Sequence, residues 1–125
     1  MSSFPTIDEV HEILDEISQD IPEEFFKNLN EGIILLPEYK LHPESRKNKK
    51  LYIMGEYSIS ITGRRISIYY GSFKKLYCGV SIEVLKRRLR ETLIHEFTHH
   101  LESLGGERGL EIKDQDDLQK YRDID

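Results

Sequence analysis

The feature that most constrains this chain is a run from Ser81 to Leu104 that contains neither proline nor glycine. Apolar side chains recur along it every three or four residues, which places them on one broad face of an α-helix. These side chains are Ile82, Leu85, Leu89, Leu93, Phe97, Leu101 and Leu104. Gly105 and Gly106 follow and predict the end of the helix. The pattern therefore predicts one long helix whose apolar face lies on a sheet.

Four short segments before this helix predict the strands of that sheet. The candidates are residues 33–36, 51–54, 57–61 and 65–70. Pro37 ends the first of them. The last two alternate apolar and polar side chains on either side of Gly63 and Arg64, which is typical of a β-hairpin with one core face and one polar face. The core face is expected to carry Ile59, Ile61, Ile66, Ile68 and Tyr70.

The N-terminal part of the chain predicts two helices. Thr6 and Glu9 have capping-box spacing, and apolar residues then recur at helical intervals over residues 7–19. Pro22 predicts a second helical start, which Gly32 ends. Its apolar residues are Phe25, Phe26 and Leu29. The polar, aperiodic stretch 38–50 predicts an exposed loop. Together these elements predict an α+β fold in which the long helix packs on a small mixed sheet.

Size and composition exclude several classes of protein. The 125 residues suffice for one domain, 1–125, with an acidic tail from about residue 110. No apolar run is long enough to span a membrane and no targeting signal is visible, so we expect a soluble cytoplasmic protein. The single cysteine, Cys78, agrees with a reducing compartment and is expected to be a buried small hydrophobe.

The charges are unevenly distributed along the chain. Residues 40–90 carry thirteen Lys and Arg against three acids, whereas the segments on either side are acidic. Nucleic-acid binding through the 40–50 loop and the bases of 86–90 is one interpretation. No aromatic platform or recognition motif accompanies these bases, and the net charge is −5. We therefore favour the interpretation that the three segments neutralise one another on folding.

The long helix contains the sequence HEFTHH at residues 95–100, which includes an HExxH motif. His95 and His99, four residues apart, project from one side of a helix and can bind one Zn²⁺, while Glu96 can reach a water on the metal. The pair lies roughly opposite the apolar stripe, so we expect it to face a cleft. His100 falls on the stripe and is expected to be structural or to support a ligand.

A catalytic zinc site requires a third protein ligand. Glu102 is the first candidate because it lies seven residues after His95 and three after His99, on the same helical face. The next candidates, in order, are Glu107, Asp114 and Asp117.

At these residues the chain resembles the small bacterial zincin-like metallopeptidases of the minimal HExxH type. The resemblance covers about residues 7–101, and its most specific part is the ordered pair of segments RISIYYG and LIHEFTHHL. It implies a zincin-like fold with a zinc cofactor bound by His95 and His99. It also implies that Glu96 acts as general base in the hydrolysis of a peptide or protein substrate.

The resemblance further implies an edge strand beside the cleft. If residues 65–70 form that edge, an extended substrate pairs with it and meets Ser67 or Tyr69. Many family members continue the second histidine with xxGxxD, whose acid is the third ligand. Here Glu102 occupies the position of the glycine and Gly105 that of the acid. The helix is therefore expected to run longer than in those members, and the identity of the third ligand is left open.

Two functions from other classes stay open beside hydrolysis. A non-catalytic domain could retain metal for stability and act as a binding module. Nucleic-acid binding by the basic middle segment is the less favoured alternative, for the reasons of composition given above.

Overall fold

The computed structural model describes residues 4–108, which form an α+β fold. The α-helices are α1 (Ile7–Gln19), α2 (Tyr70–Tyr77) and α3 (Ile82–Arg108). The strands are β1 (Gly32–Leu36), β2 (Lys40–Leu41), β3 (Tyr52–Ile53), β4 (Gly55–Ser60) and β5 (Gly63–Tyr69). Two candidate ligands, Asp114 and Asp117, and the acidic tail lie outside the described residues, and so does the side chain of Glu107. No helix within residues 4–108 is both long enough and apolar enough to cross a membrane.

The main sheet has three strands in the order β1-β5-β4. β5 is parallel to β1 and antiparallel to β4, while β2 and β3 form a separate antiparallel pair. The prediction that residues 65–70 form an edge is therefore wrong, because β5 is hydrogen-bonded to a strand on each side. Ser67 and Tyr69 are buried, with 4% and 7% of their surface exposed, so they do not present an exposed face to a substrate.

The apolar face of α3 packs against β4 and β5, as predicted. Its buried residues include Leu85, Leu89, Leu93, Phe97, Leu101 and Leu104, whereas Ile82 in the first turn is 40% exposed. Val10, Ile13, Leu14 and Ile17 of α1 belong to the same core. Because this stripe faces the core, the opposite side of α3 faces solvent.

Helix α3 continues past the glycines that were predicted to end it. It includes Gly105 and Gly106 and runs to Arg108. Glycine inside a helix costs only about 1 kcal/mol relative to alanine, and no proline follows here to prevent continuation.

The first predicted helix is confirmed with the same bounds, 7–19. The backbone N–H of Glu9 donates to Thr6 Oγ1 at 3.2 Å, and the backbone N–H of Thr6 donates to Glu9 Oε1 at 2.8 Å, which completes the capping box. The second predicted helix is shorter than expected. It is a single 3₁₀ turn, Glu23–Phe26, after which Asn28 adopts a positive φ of 65°.

We expect Thr6→Ala to lower the free energy of unfolding by about 1 kcal/mol, because the mutation leaves the backbone N–H of Glu9 without its acceptor. This corresponds to a fall of about 4 °C in Tm for a domain of this size. Thr6→Ser keeps the hydroxyl and is the matched control. Thermal unfolding followed by circular dichroism would contradict the capping role if the alanine and serine variants melted together.

Four local predictions need correction. The stretch 38–50 is exposed as predicted, but it contains β2 and is internally hydrogen-bonded, for example from Ser45 N–H to the His42 carbonyl at 2.9 Å. Ile59 and Ile61 are not core residues, since they are 55% and 104% exposed near the hairpin turn. Cys78, which was expected to be buried, is exposed at the C-terminus of α2. The fourth correction concerns Tyr70, which begins α2 instead of ending the preceding strand.

A close backbone contact anchors the start of α2. The N–H of Gly71 donates to the Glu38 carbonyl at 3.1 Å. A Cβ at position 71 would lie 2.5 Å from the backbone nitrogen of Tyr39, so only glycine allows this approach. The contact joins α2 to the segment that leads into β2.

Candidate metal centre

His95 and His99 lie one turn apart on the exposed side of α3. Their Nε2 atoms are 3.1 Å apart, within hydrogen-bond distance, and their rings are nearly perpendicular at 86°. Two nitrogen ligands of a tetrahedral zinc ion at ordinary Zn–N distances are about 3.3 Å apart. The two imidazoles are therefore spaced nearly as a shared metal ion requires.

A cleft of about 700 Å³ separates this side of α3 from β4. Its lining comprises Gly55, Glu56, Tyr57, Ile59, His95, Glu96, His99, Glu102 and Ser103. A smaller cavity of about 320 Å³ continues it and shares Gly55, His95 and Glu96 with it. Within the described residues β4 pairs only with β5, so its other edge is free beside the histidines. The histidines thus face a cleft bordered by a free strand edge.

Strand β4 and helix α3 approach each other closely at one end of the cleft. A Cβ built on Gly55 would lie 3.0 Å from Thr92 Cγ2 and 3.2 Å from the Ser67 carbonyl oxygen. Glycine at this position therefore allows β4 to run close to the turn of α3 that precedes His95.

Glu96 is buried, although it directly follows the exposed His95 on α3. Only 5% of its surface is exposed, although it lines the cleft. Burial, with a smaller contribution from the negative charge of Glu56, raises the pKa of Glu96 to about 7. A carboxyl group with such a pKa can both accept and release a proton near neutral pH.

Glu56 is a cleft residue that sequence reasoning missed. Its carboxylate accepts hydrogen bonds from Lys40 Nζ at 2.9 Å and from the Tyr69 hydroxyl at 2.6 Å. Burial raises its pKa, but these hydrogen bonds outweigh burial and hold the pKa below its ordinary value. Tyr69, which was predicted to meet a substrate, instead holds Glu56. No sequence signal could have found this cluster, because its members come from three separate strands.

Glu102, the first candidate for the third ligand, lies on the outer side of His99. Its Oε1 is 3.9 Å from His99 Nδ1, whereas the two histidines approach each other through Nε2. Its side chain is 63% exposed. Among the residues that the structure describes, no group of three or more His, Cys, Asp or Glu side chains could hold a metal. The structure thus brings together two of the predicted ligands, and Glu102 is near them without joining them.

His100 is buried and structural, in agreement with its position on the apolar stripe. It has no exposed surface, and its Nε2 lies 2.8 Å from the Lys27 carbonyl oxygen. A carbonyl can only accept, so Nε2 carries the proton and Nδ1 accepts from the Tyr57 hydroxyl at 2.9 Å. Burial lowers the pKa of His100, against the hydrogen bond to Lys27, and the Arg64 cation lowers it further. The neutral ring is therefore favoured.

The fold and the site define an α+β protein in which the two histidines of an HExxH helix lie exposed beside the free edge of a small sheet. No protein-family model matches the chain, and the search of curated proteins finds no match. A solved structure, described as a conserved hypothetical protein from Thermus thermophilus, is similar to it with a TM-score of 0.67 and 31% sequence identity. The match covers 82% of this chain and 99% of that one.

The chain belongs to the same family as this conserved hypothetical protein. The description of that relative names no activity.

Proposed function

We propose that this protein is a zinc-dependent metallopeptidase of the zincin-like class. The observation that carries the proposal is the pair of Nε2 atoms of His95 and His99, 3.1 Å apart beside the buried carboxyl of Glu96. Imidazole nitrogen is a common zinc ligand, and the cleft that the pair faces has room for a substrate. The resemblance noted from the sequence supports the same class.

Two side chains of the site suit zinc as ligands. These are His95 and His99, which would bind the ion, and the third ligand would come from Glu102 or from the acidic residues that begin at Glu107. When bound, zinc supplies a Lewis acid that polarises a carbonyl and lowers the pKa of a bound water.

Glu96 performs the proton transfers in this proposal. Its carboxylate accepts a proton from the attacking water and returns it to the leaving amine, so the peptide bond is cut without a covalent intermediate. Its position supports this role, since it lines the cleft directly beside His95 and is otherwise excluded from solvent.

The substrate would be an extended peptide or protein segment that pairs with β4. The free edge of β4 lies along the same cleft as the histidines, which supports β-augmentation there rather than at β5. Ile59, 55% exposed on the wall of the cleft, offers an apolar contact to such a segment. The free and exposed thiol of Cys78 agrees with a cytoplasmic location.

Metal analysis and peptide cleavage together test the proposal. We expect the purified protein to hold zinc in equimolar amount and to cleave members of a peptide library, and chelation to remove both properties reversibly. His99→Ala should lose zinc, because it removes one of the two proposed histidine ligands. His11→Ala, an exposed histidine on α1, is the matched control and should retain it. Absence of stoichiometric zinc from the wild-type protein would contradict the proposal.

A further inference from the structure

We propose that Arg64, Tyr57 and His100 are positioning residues that hold the edge strand β4 in place against the part of α3 that carries His99 and Glu102. The inference rests on the proposed function in one respect: it states what sets the distance between the candidate zinc ligands and the strand that would bind a substrate. The hydrogen bonds themselves do not depend on that function.

The three side chains form a continuous chain of hydrogen bonds. The Tyr57 hydroxyl on β4 lies 2.9 Å from His100 Nδ1 on α3, and Arg64 Nη1 on β5 donates to the same hydroxyl at 2.7 Å. Arg64 Nη1 also donates to Ser103 Oγ, on the next turn of α3, at 2.8 Å. On the other side of His100, Nε2 donates to the Lys27 carbonyl. One network therefore ties two strands and the segment after the 3₁₀ turn to α3.

The direction of each hydrogen bond follows from the chemistry of its members. Arg64 can only donate, so the Tyr57 oxygen accepts from it. The Lys27 carbonyl can only accept, so the proton of His100 is on Nε2 and the Tyr57 hydroxyl donates to Nδ1. The hydroxyl proton of Tyr57 is thus engaged within the network. Tyr57 therefore does not present a donor to a substrate.

The location of the network distinguishes it from ordinary core packing. His100 follows His99 directly, Ser103 follows Glu102 directly, and Tyr57 belongs to the wall of the cleft. The rings of Tyr57 and His100 also pack together, with centroids 5.3 Å apart. Since buried polar groups require specific partners, whereas apolar contacts tolerate sliding, the network specifies one register of β4 on α3.

Tyr57→Phe is the most selective test, because it keeps the ring and removes only the hydroxyl that joins Arg64 to His100. We expect its KM for the best library peptide to rise about tenfold while its zinc content stays equimolar, because the displaced strand would bind the substrate whereas both proposed histidine ligands lie on α3. Ile17→Val, a core change in α1, is the control for lost stability and should leave this KM within about twofold at a similar fall in Tm. Equal KM values for the two variants would overturn the proposal.

A second readout does not require zinc. Imidazole ¹⁵N spectra of the metal-free wild type should show His100 protonated on Nε2, and Tyr57→Phe should shift the ring signals of His99. Amide hydrogen exchange should accelerate at least tenfold in β4 and remain unchanged in β1 at the opposite edge. Unchanged His99 signals and β4 exchange would overturn the positioning role, whereas these changes in a protein that binds no zinc would reject only the proposed function. If Tyr57→Phe does not fold, Ser103→Ala replaces it in these measurements. Its His99 signals and its β4 exchange should change in the same direction by smaller amounts, and no change in either would likewise overturn the proposal.

Discussion

Replacing Glu96 with glutamine is expected to lower peptide hydrolysis by about 10²- to 10⁴-fold while leaving equimolar zinc in the protein. Glutamine has nearly the same volume as glutamate and fits the same buried position, but it cannot accept a proton. The two histidine Nε2 atoms are unaffected by the change. Initial rates on the best peptide of a library, together with metal analysis of the same preparation, measure both parts of the prediction.

Glu83→Gln is the matched control for this experiment. Glu83 is an exposed glutamate in the first turn of α3, and it borders a separate cavity against α1. This variant should cleave at the wild-type rate. If Glu96→Gln also cleaved at that rate, Glu96 would not be the general base.

The same measurements separate hydrolysis from its main alternative. A wild-type protein that binds zinc in equimolar amount and cleaves no peptide would be a metal-stabilised binding module. Two observations favour this alternative: the cleft is open on one side, and no group of three potential ligand side chains is present among the described residues.

Phe97→Ala is expected to cost about 3–5 kcal/mol of unfolding free energy, the largest effect on stability that we predict. Phe97 has no exposed surface and packs against Phe25 and Phe26, with ring centroids 6.5 and 4.9 Å away. The mutation leaves a cavity where α3 meets the segment after α1. Since domains of this size are typically stable by about 5–15 kcal/mol, the loss is a large fraction of the total.

Urea unfolding with a constant m-value measures this loss. Ile61→Ala is the control, because Ile61 is fully exposed in the turn after β4 and its truncation should change stability by less than about 0.5 kcal/mol. Similar midpoints for the two variants would show that the interface around Phe97 does not support the fold. Phe97→Ala should also weaken zinc binding, but only in proportion to the unfolded fraction.

The parts of the fold that follow local periodicity could be predicted well. The capping box at Thr6 and the apolar spacing of α1 depend on neighbours within a few residues, and both are confirmed. The stripe from Leu85 to Leu104 is confirmed for the same reason. The predicted end of α3 was wrong, because Gly105 and Gly106 each disfavour a helix by only about 1 kcal/mol.

The order of strands could not be predicted, because any strand with an alternating pattern can be central or at an edge. β5 pairs with β1 in parallel, across a connection that includes the β2-β3 pair, and this places Ser67 and Tyr69 inside. Ile59 and Ile61 have the same alternation as Ile66 and Ile68, yet they lie near the turn, where the core no longer covers them. Pattern alone does not state which strand has a neighbour on each side.

The sequence by itself determined the helix that carries His95, Glu96 and His99, and the side of that helix on which both histidines lie, because these depend on the α-helical repeat alone. Only the tertiary structure decided that β4 borders the cleft, that Glu56 adds its charge there and that His100 binds Tyr57 and Lys27. Those relations join residues that are distant in the chain, and they arise from strand pairing and core packing rather than from spacing along one element.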